Sequence, residues 1–120
     1  MKHLSKGRKF GRVRNQRRAL FKTMLGSLIM KEKIQTTEAK AKELKGMIDK
    51  IINKAKTAQD KTKQVAVLRA LQIKIPAQAV KKITGGFIEK FSTRNSGYTR
   101  IVKIEARKSD NAKLSIIEFV

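Results

Sequence analysis

The sequence predicts a two-layer α+β domain in the order α-β-α-α-α-β-β, behind an extended basic N-terminal arm. Three observations carry that prediction. Apolar residues recur at three- and four-residue steps from about residue 20 to 83, β-branched runs take over from Tyr98, and the first fourteen residues follow neither period. A chain of 120 residues fits one domain of about 100–200 residues, here expected over 15–120 with the arm over 1–14. It is long enough for one modest core, and a helical layer over a small sheet would bury the sheet's apolar face.

The arm reads MKHLSKGRKFGRVR and holds Lys2, Lys6, Arg8, Lys9, Arg12 and Arg14 with no acid. It has too few apolar residues to fold alone, so it is expected to order on a phosphate surface. Asn15 is the expected N-cap of a first helix reaching about Met30. Leu20, Phe21, Met24, Leu25, Leu28 and Ile29 form its apolar side, while Ala19, Thr23, Gly26 and Ser27 form a small-residue side with Lys22 at the edge. Small side chains there would let a rigid surface approach the backbone. Arg14, Arg17 and Arg18 cluster at the helix start, where open N–H groups also attract phosphate.

Lys33–Thr36 reads as a short extended segment, and Thr36 and Thr37 offer hydroxyl caps to a second helix whose first turn carries Glu38. Ala41, Leu44, Ile48, Ile51, Ile52 and Ala55 give this helix the most regular stripe in the chain. Its other side is mostly lysine, at positions 40, 42, 45, 50, 54 and 56, and toward the C-terminal end reads as a solvated face. Asp60 is the expected cap of a third helix with Val65, Leu68 and Leu71 buried. Pro76 closes that helix and opens a fourth from Ala77, with Val80 and Ile83 inward. Gly85-Gly86 predicts a break before Phe87–Phe91. Tyr98–Glu105 and Leu114–Val120, joined through Lys108-Ser109-Asp110-Asn111, read as a β-hairpin.

Charge narrows the partner class. Thirty Lys/Arg against nine Asp/Glu give a formal net charge of +21, yet 40% of residues are hydrophobic, so this is not a disordered polycation. Residues 1–31 hold ten Lys/Arg and no acid, and all nine acids follow. Such a surface calls for a dense polyanion, and nucleic acid fits best. No cysteine is present and His3 is the sole histidine, which removes thiolate and His-rich metal sites. Apolar runs fall far short of a membrane span or signal region. A cytosolic protein with no cofactor and no small-molecule substrate is the expectation.

No catalytic constellation emerges. Thr84-Gly85-Gly86 lacks the Gly-Lys-Ser/Thr ending of a phosphate-binding loop, and the acids are scattered singly. Lys9-Phe10-Gly11-Arg12-Val13 does not sit on a patterned strand, as an RNA-recognition aromatic run must. With six aromatics, most in core-like rows, phosphate neutralisation on a folded RNA is favoured over base stacking. Ser92–Arg100 gathers two arginines, four hydroxyls from Ser and Thr and an amide with no acid, and is a second candidate phosphate and sugar ligand set through Arg94, Tyr98, Thr99 and Arg100.

Met1-Lys2-His3, Met24–Leu28, Ile34-Gln35-Thr36-Thr37 with Lys40–Leu44, Asp49–Lys56, Gly97–Ile101 and Asp110–Ala112 together resemble the bacterial large-subunit ribosomal protein seventeen family, end to end and in family order. Asn53, where that family usually has threonine, Ser96, where it has the first of two glycines, and Gly85–Glu89 depart from the pattern. The resemblance implies a non-enzymatic scaffold of the large ribosomal subunit, bound to ribosomal RNA beside neighbouring ribosomal proteins. The candidate RNA-binding set is then Lys2, His3, Lys6, Arg8, Lys9, Arg12, Arg14, Arg17, Arg18 and Lys22, with Thr36, Thr37 and Lys40 from the most specific matching stretch, and Arg94, Tyr98, Thr99 and Arg100. A nucleoid-type DNA-binding protein is the alternative, disfavoured because the strongest basic segment is irregular and N-terminal. A cationic membrane-surface protein and an RNA-modifying enzyme are the more distant rivals.

Overall fold

The computed structural model describes residues 8–58 and 60–120. In chain order they form α1 (Arg14–Lys31), β1 (Lys33–Thr37), α2 (Glu38–Thr57), α3 (Gln64–Lys74), α4 (Ala77–Ile83), a 3-10 segment (Gly86–Phe91), β2 (Thr99–Lys103) and β3 (Leu114–Phe119). The predicted α+β class and element order hold, with the 3-10 segment at the break expected after Gly85.

The sheet is antiparallel throughout, in the order β1-β3-β2. The hairpin supplies β2 and β3, and the early strand β1 completes the sheet along the other edge of β3. The register places Ile34, Ile117 and Ile101 in one row across the three strands. That row faces α2, since side chains alternate along a strand and Ile117 is fully buried. Backbone bonds close the seam at both ends of β1: Phe119 N donates to Glu32 O at 3.2 Å, and Glu38 N to Lys113 O at 2.9 Å.

α2 is the central element. Ala41, Leu44, Ile48, Ile51, Ile52 and Ala55, its predicted stripe, are all buried, and the helix touches the three strands, α1, α3 and the 3-10 segment. Thr37 is its N-cap, accepting from Lys40 N at 3.5 Å, and Glu38 sits in the first turn where the helix dipole favours it. Phe21, Leu25, Leu28 and Ile29 of α1, Leu71 of α3, and Ala79, Val80 and Ile83 of α4 complete the helical part of the core. Phe87, Phe91, Tyr98 and Phe119 form an aromatic cluster at one end of the sheet, with ring centroids 5.1–5.5 Å apart, three of the pairs edge-to-face and Phe91–Phe119 tilted.

Four local expectations are corrected. α1 starts one residue before Asn15, with Val13 at the cap position and no side-chain cap. Asp60 caps a turn instead of α3: its carboxylate accepts from Thr62 N at 3.1 Å and Thr62 Oγ1 at 2.8 Å, and the helix begins four residues later. That shift rotates α3, so Val67 joins Leu71 in the core while Val65 is exposed. Finally, the end of the arm from residue 8 is folded back. Phe10 and Gly11 both take positive φ in a tight turn closed by Arg12 N donating to Lys9 O at 3.2 Å. The turn lays the Phe10 ring edge-on against Phe21 at 5.5 Å. Lys2, His3 and Lys6 lie outside the described residues.

Gly26 is not part of an open small-residue face. A Cβ there would stand 2.7 Å from Cδ and Cγ of Pro76, so glycine is what lets α1 meet the start of α4. Gly26→Ala is expected to cost about 1–3 kcal/mol through this overpacking, measured by urea denaturation. An unchanged midpoint would show that the helices part without cost.

Two carboxylates tie elements together by charge. Glu32, at the left-handed end of α1, holds Lys90 at 3.0 Å and Lys82 at 3.5 Å. Glu38 holds Lys42 at 3.2 Å and Lys103 at 3.5 Å. Both pKa values lie below the ordinary 4.5, chiefly through the hydrogen bonds from Lys90 and from Lys42 respectively. A depressed folded-state pKa contributes stability that is present above the unfolded value and lost as pH falls through the folded one. Stability should therefore decline on acidification below 4.5, and a Glu32→Gln, Glu38→Gln double variant should decline less. Denaturant titrations across that range check this, and parallel curves for the two proteins would refute it.

Candidate nucleic-acid interface

α1 forms a ridge between two grooves. The first, about 830 Å³, lies among α1, α2 and α3 and is lined by Arg8, Arg14, Arg17, Arg18 and Lys22 on one side and by Lys50, Lys54 and Lys74 on the other. The steps from Arg14 to Arg18 to Lys22 are four residues each, which stacks these cations on one helix face. Glu43 is the single acid on its wall and is engaged by Arg8 at 2.9 Å. Among the described residues no carboxylate pairs with the other seven cations. The N-terminus of α1 has no side-chain cap and no acid in its first turn. Its backbone N–H groups therefore reinforce the positive field.

The second groove, about 540 Å³, runs along the other side of α1, between Leu20, Thr23, Met24 and Ser27 of the helix and Lys33–Thr36 of β1, with Lys31 and Lys40 at its ends. It joins two features that the sequence presents separately, the small-residue side of the first helix and the Thr36/Lys40 stretch. Hydroxyls and ammonium groups on a shallow wall suit phosphate and sugar oxygens. Thr37 is not among its lining residues; its hydroxyl caps α2. Lys9 is exposed, and Arg12 is half-buried with its guanidinium on Phe10 O at 2.9 Å.

The Ser92–Arg100 cluster is corrected. Tyr98 is fully buried and Thr99 is 3% exposed, so neither side chain is offered to a ligand. The Tyr98 hydroxyl donates to Asn53 Oδ1 at 2.5 Å and accepts from Lys56 Nζ at 2.8 Å; Lys56 also donates to Arg94 O. Asp49 accepts from the backbone N–H groups of Gly97 at 3.4 Å and Tyr98 at 3.3 Å. The acid absent from the local sequence is thus supplied across space by α2, and the segment is a seam between that helix and the hairpin. Arg100 lies on the outer face of the sheet, paired with Glu118 at 2.8 Å. Arg94 is exposed and bonds Gly97 O at 3.4 Å.

Sequence reasoning passed over Lys50, Lys54 and Lys74. The lysine pair on α2 has the four-residue spacing of one face, but only the packing of α1 and α3 beside it turns a solvated face into a groove wall. All six aromatics are engaged in ring–ring contacts within the fold. Among the described residues no group of acids and histidine is placed to hold a metal ion, and no helix is long and apolar enough to cross a membrane.

Known proteins share this sequence pattern. The family model for ribosomal protein L17 matches residues 20–120. The chain is 39% identical over 120 residues to the large ribosomal subunit protein bL17 of Anaeromyxobacter sp. (strain K), covering all of this chain and 73% of the relative. It is 39% identical to the bL17 of Thermodesulfovibrio yellowstonii, again over the whole chain, and covers 87% of that protein. With the bL17 of Campylobacter lari identity is 40%, over the whole chain and 99% of the relative.

If the Tyr98 segment is a seam, Tyr98→Phe should lower stability by about 0.5–1.5 kcal/mol, since it removes the hydroxyl's bonds to Asn53 and Lys56. Affinity for RNA should stay unchanged. Fluorescence-anisotropy titration beside urea denaturation separates the two, and a variant that binds RNA more weakly at full stability would restore Tyr98 to the interface.

Proposed function

Because the chain belongs to the ribosomal protein L17 family, it is a structural, non-catalytic constituent of the large ribosomal subunit, and we propose that it works there by binding ribosomal RNA along the α1 ridge. Arg14, Arg17, Arg18 and Lys22 neutralise phosphates on one flank, while Thr23, Ser27, Thr36 and Lys40 contact backbone oxygens on the other. From the arm, Lys2, His3, Lys6, Arg8, Lys9 and Arg12 contribute further phosphate contacts, and Arg94 and Arg100 add peripheral charge. Two RNA segments held on opposite flanks of one rigid helix are locked at a fixed spacing, which favours the folded RNA during subunit assembly. Neighbouring ribosomal proteins meet the remaining surface, in the cytoplasmic ribosome.

The observation that supports this reading is the separation of charge from its counter-charge. A ridge with eight cations around one groove keeps a single acid, already engaged, on the wall. Shape rather than sequence is read, because hydroxyls and cations address the RNA backbone and no aromatic is available to stack on bases. A nucleoid-type role would centre on a basic β-arm, whereas Arg107 at the hairpin tip is held by Asp110 at 2.9 Å.

With about eight phosphate contacts, log K should fall with log salt at a slope near −6 to −7. Replacing Arg14, Arg17, Arg18 and Lys22 by glutamine should make that slope shallower by about 3, with the fold retained by circular dichroism. In sucrose gradients of cell extract at moderate salt the protein should travel with the large subunit and the variant should be depleted from it. Migration free of the subunit, or with DNA, would overturn the proposal.

A further inference from the structure

The groove among α1, α2 and α3 has a property that phosphate neutralisation alone does not use. Between its cationic walls the floor is apolar: Leu25, Ile51 and Leu71 lie at the bottom, with Met47 half-buried and Ile73 74% exposed. A paired RNA helix presents phosphates and sugars outward and keeps its base faces stacked inside, so it would leave this floor facing water. A nucleotide that has left the stack presents what the groove lacks, a flat apolar face with a phosphate on either side. The groove volume, about 830 Å³, falls in the range of pockets that enclose small ligands, about 300–1,000 Å³. Met47 is unbranched and polarisable, which suits it to pack against a planar ring of any base.

Resting on the RNA-binding reading, we propose that this groove receives an unpaired RNA nucleotide, with its base against Met47 and Ile73 and its flanking phosphates between Arg17/Arg18 and Lys50/Lys54. Charge complementarity selects RNA over a protein segment. The rim cations lie on both walls, and single-stranded RNA carries one charge per nucleotide beside each base, whereas a peptide would have to alternate acids and apolar residues at matching density. The preferred RNA is therefore a bulge or loop, held at the point where the ridge meets its helical backbone. Recognition is tolerant of base identity, since the floor has apolar contacts and the rim addresses phosphate.

The test uses the full chain and two synthetic RNA hairpins that differ only in one bulged 2-aminopurine. The bulged hairpin should bind about tenfold more tightly than the paired one at equal salt, the order expected when roughly one apolar side chain is taken out of water. The fluorescence of its 2-aminopurine should change on binding. Ile73→Ser, at an exposed position that leaves the core intact, should abolish the preference and the fluorescence change without altering the salt slope. A Lys50→Gln, Lys54→Gln variant should weaken both RNAs and make both slopes shallower. Equal affinity of the wild-type chain for the two hairpins, or an undiminished preference in Ile73→Ser, would overturn the inference while leaving phosphate binding standing. Failure to bind either RNA would overturn the underlying reading and this one with it. If the two hairpins bind equally and an acidic amphipathic peptide, titrated in the same way, binds the wild-type chain but not Ile73→Ser, the groove belongs to a protein partner instead.

Discussion

The buried stripe of α2 is the contact on which the other elements depend. A helix normally buries one side against one layer. Here Ala41, Leu44, Ile48, Ile51, Ile52 and Ala55 make a stripe broad enough to meet both the sheet and the neighbouring helices α1 and α3. A three-stranded sheet has too little area to form a core by itself, and α1 and α3 both pack on α2. The polar margins of the helix add direction to this packing: Glu38 and Lys103 fix its first turn to the hairpin, and Asp49, Asn53 and Lys56 hold the segment entering β2.

The same economy explains where the charge ends up. A net charge of +21 works against compaction, and the chain has nine acids to offset it. Seven of the nine, Glu32, Glu38, Glu43, Asp49, Asp60, Asp110 and Glu118, make hydrogen bonds or ion pairs that join elements or close turns. The acids are consumed in holding the fold, which leaves α1 and the facing lysines of α2 and α3 as an uncompensated field. Function and stability therefore draw on opposite signs of charge, and the excess collects where α1 is needed for binding.

Much of the fold was legible because it rests on local periodicity. The α2 stripe, the break at Gly85-Gly86, the Pro76 boundary and the final hairpin follow from residue spacing and turn chemistry within a few positions. Misreadings arose where a short polar residue had two uses. Asp60 closes a turn, and Asn15 sits inside the helix it was expected to cap, because capping depends on backbone geometry that identical residues satisfy at several places. The Ser92–Arg100 cluster misled for a different reason. Its lack of acid is real in one dimension, and Asp49 supplies the carboxylate from more than forty positions away.

The α+β class, the separation of an acid-free basic N-terminal region from a mixed-charge remainder, the lack of cysteine chemistry and the resemblance that leads to the ribosomal family can all be read from the residues in order. These are properties of composition and of neighbours along the chain. Tertiary structure alone decided that β1 joins the hairpin through β3, that Gly26 is a packing surface against Pro76, that Tyr98 is interior, and that Lys50, Lys54 and Lys74 face the arginines of α1 across an apolar floor. Each of these is a meeting of distant segments. Helical or strand periodicity states which face of an element is buried, but the partner of that face is chosen by how all the buried faces pack at once.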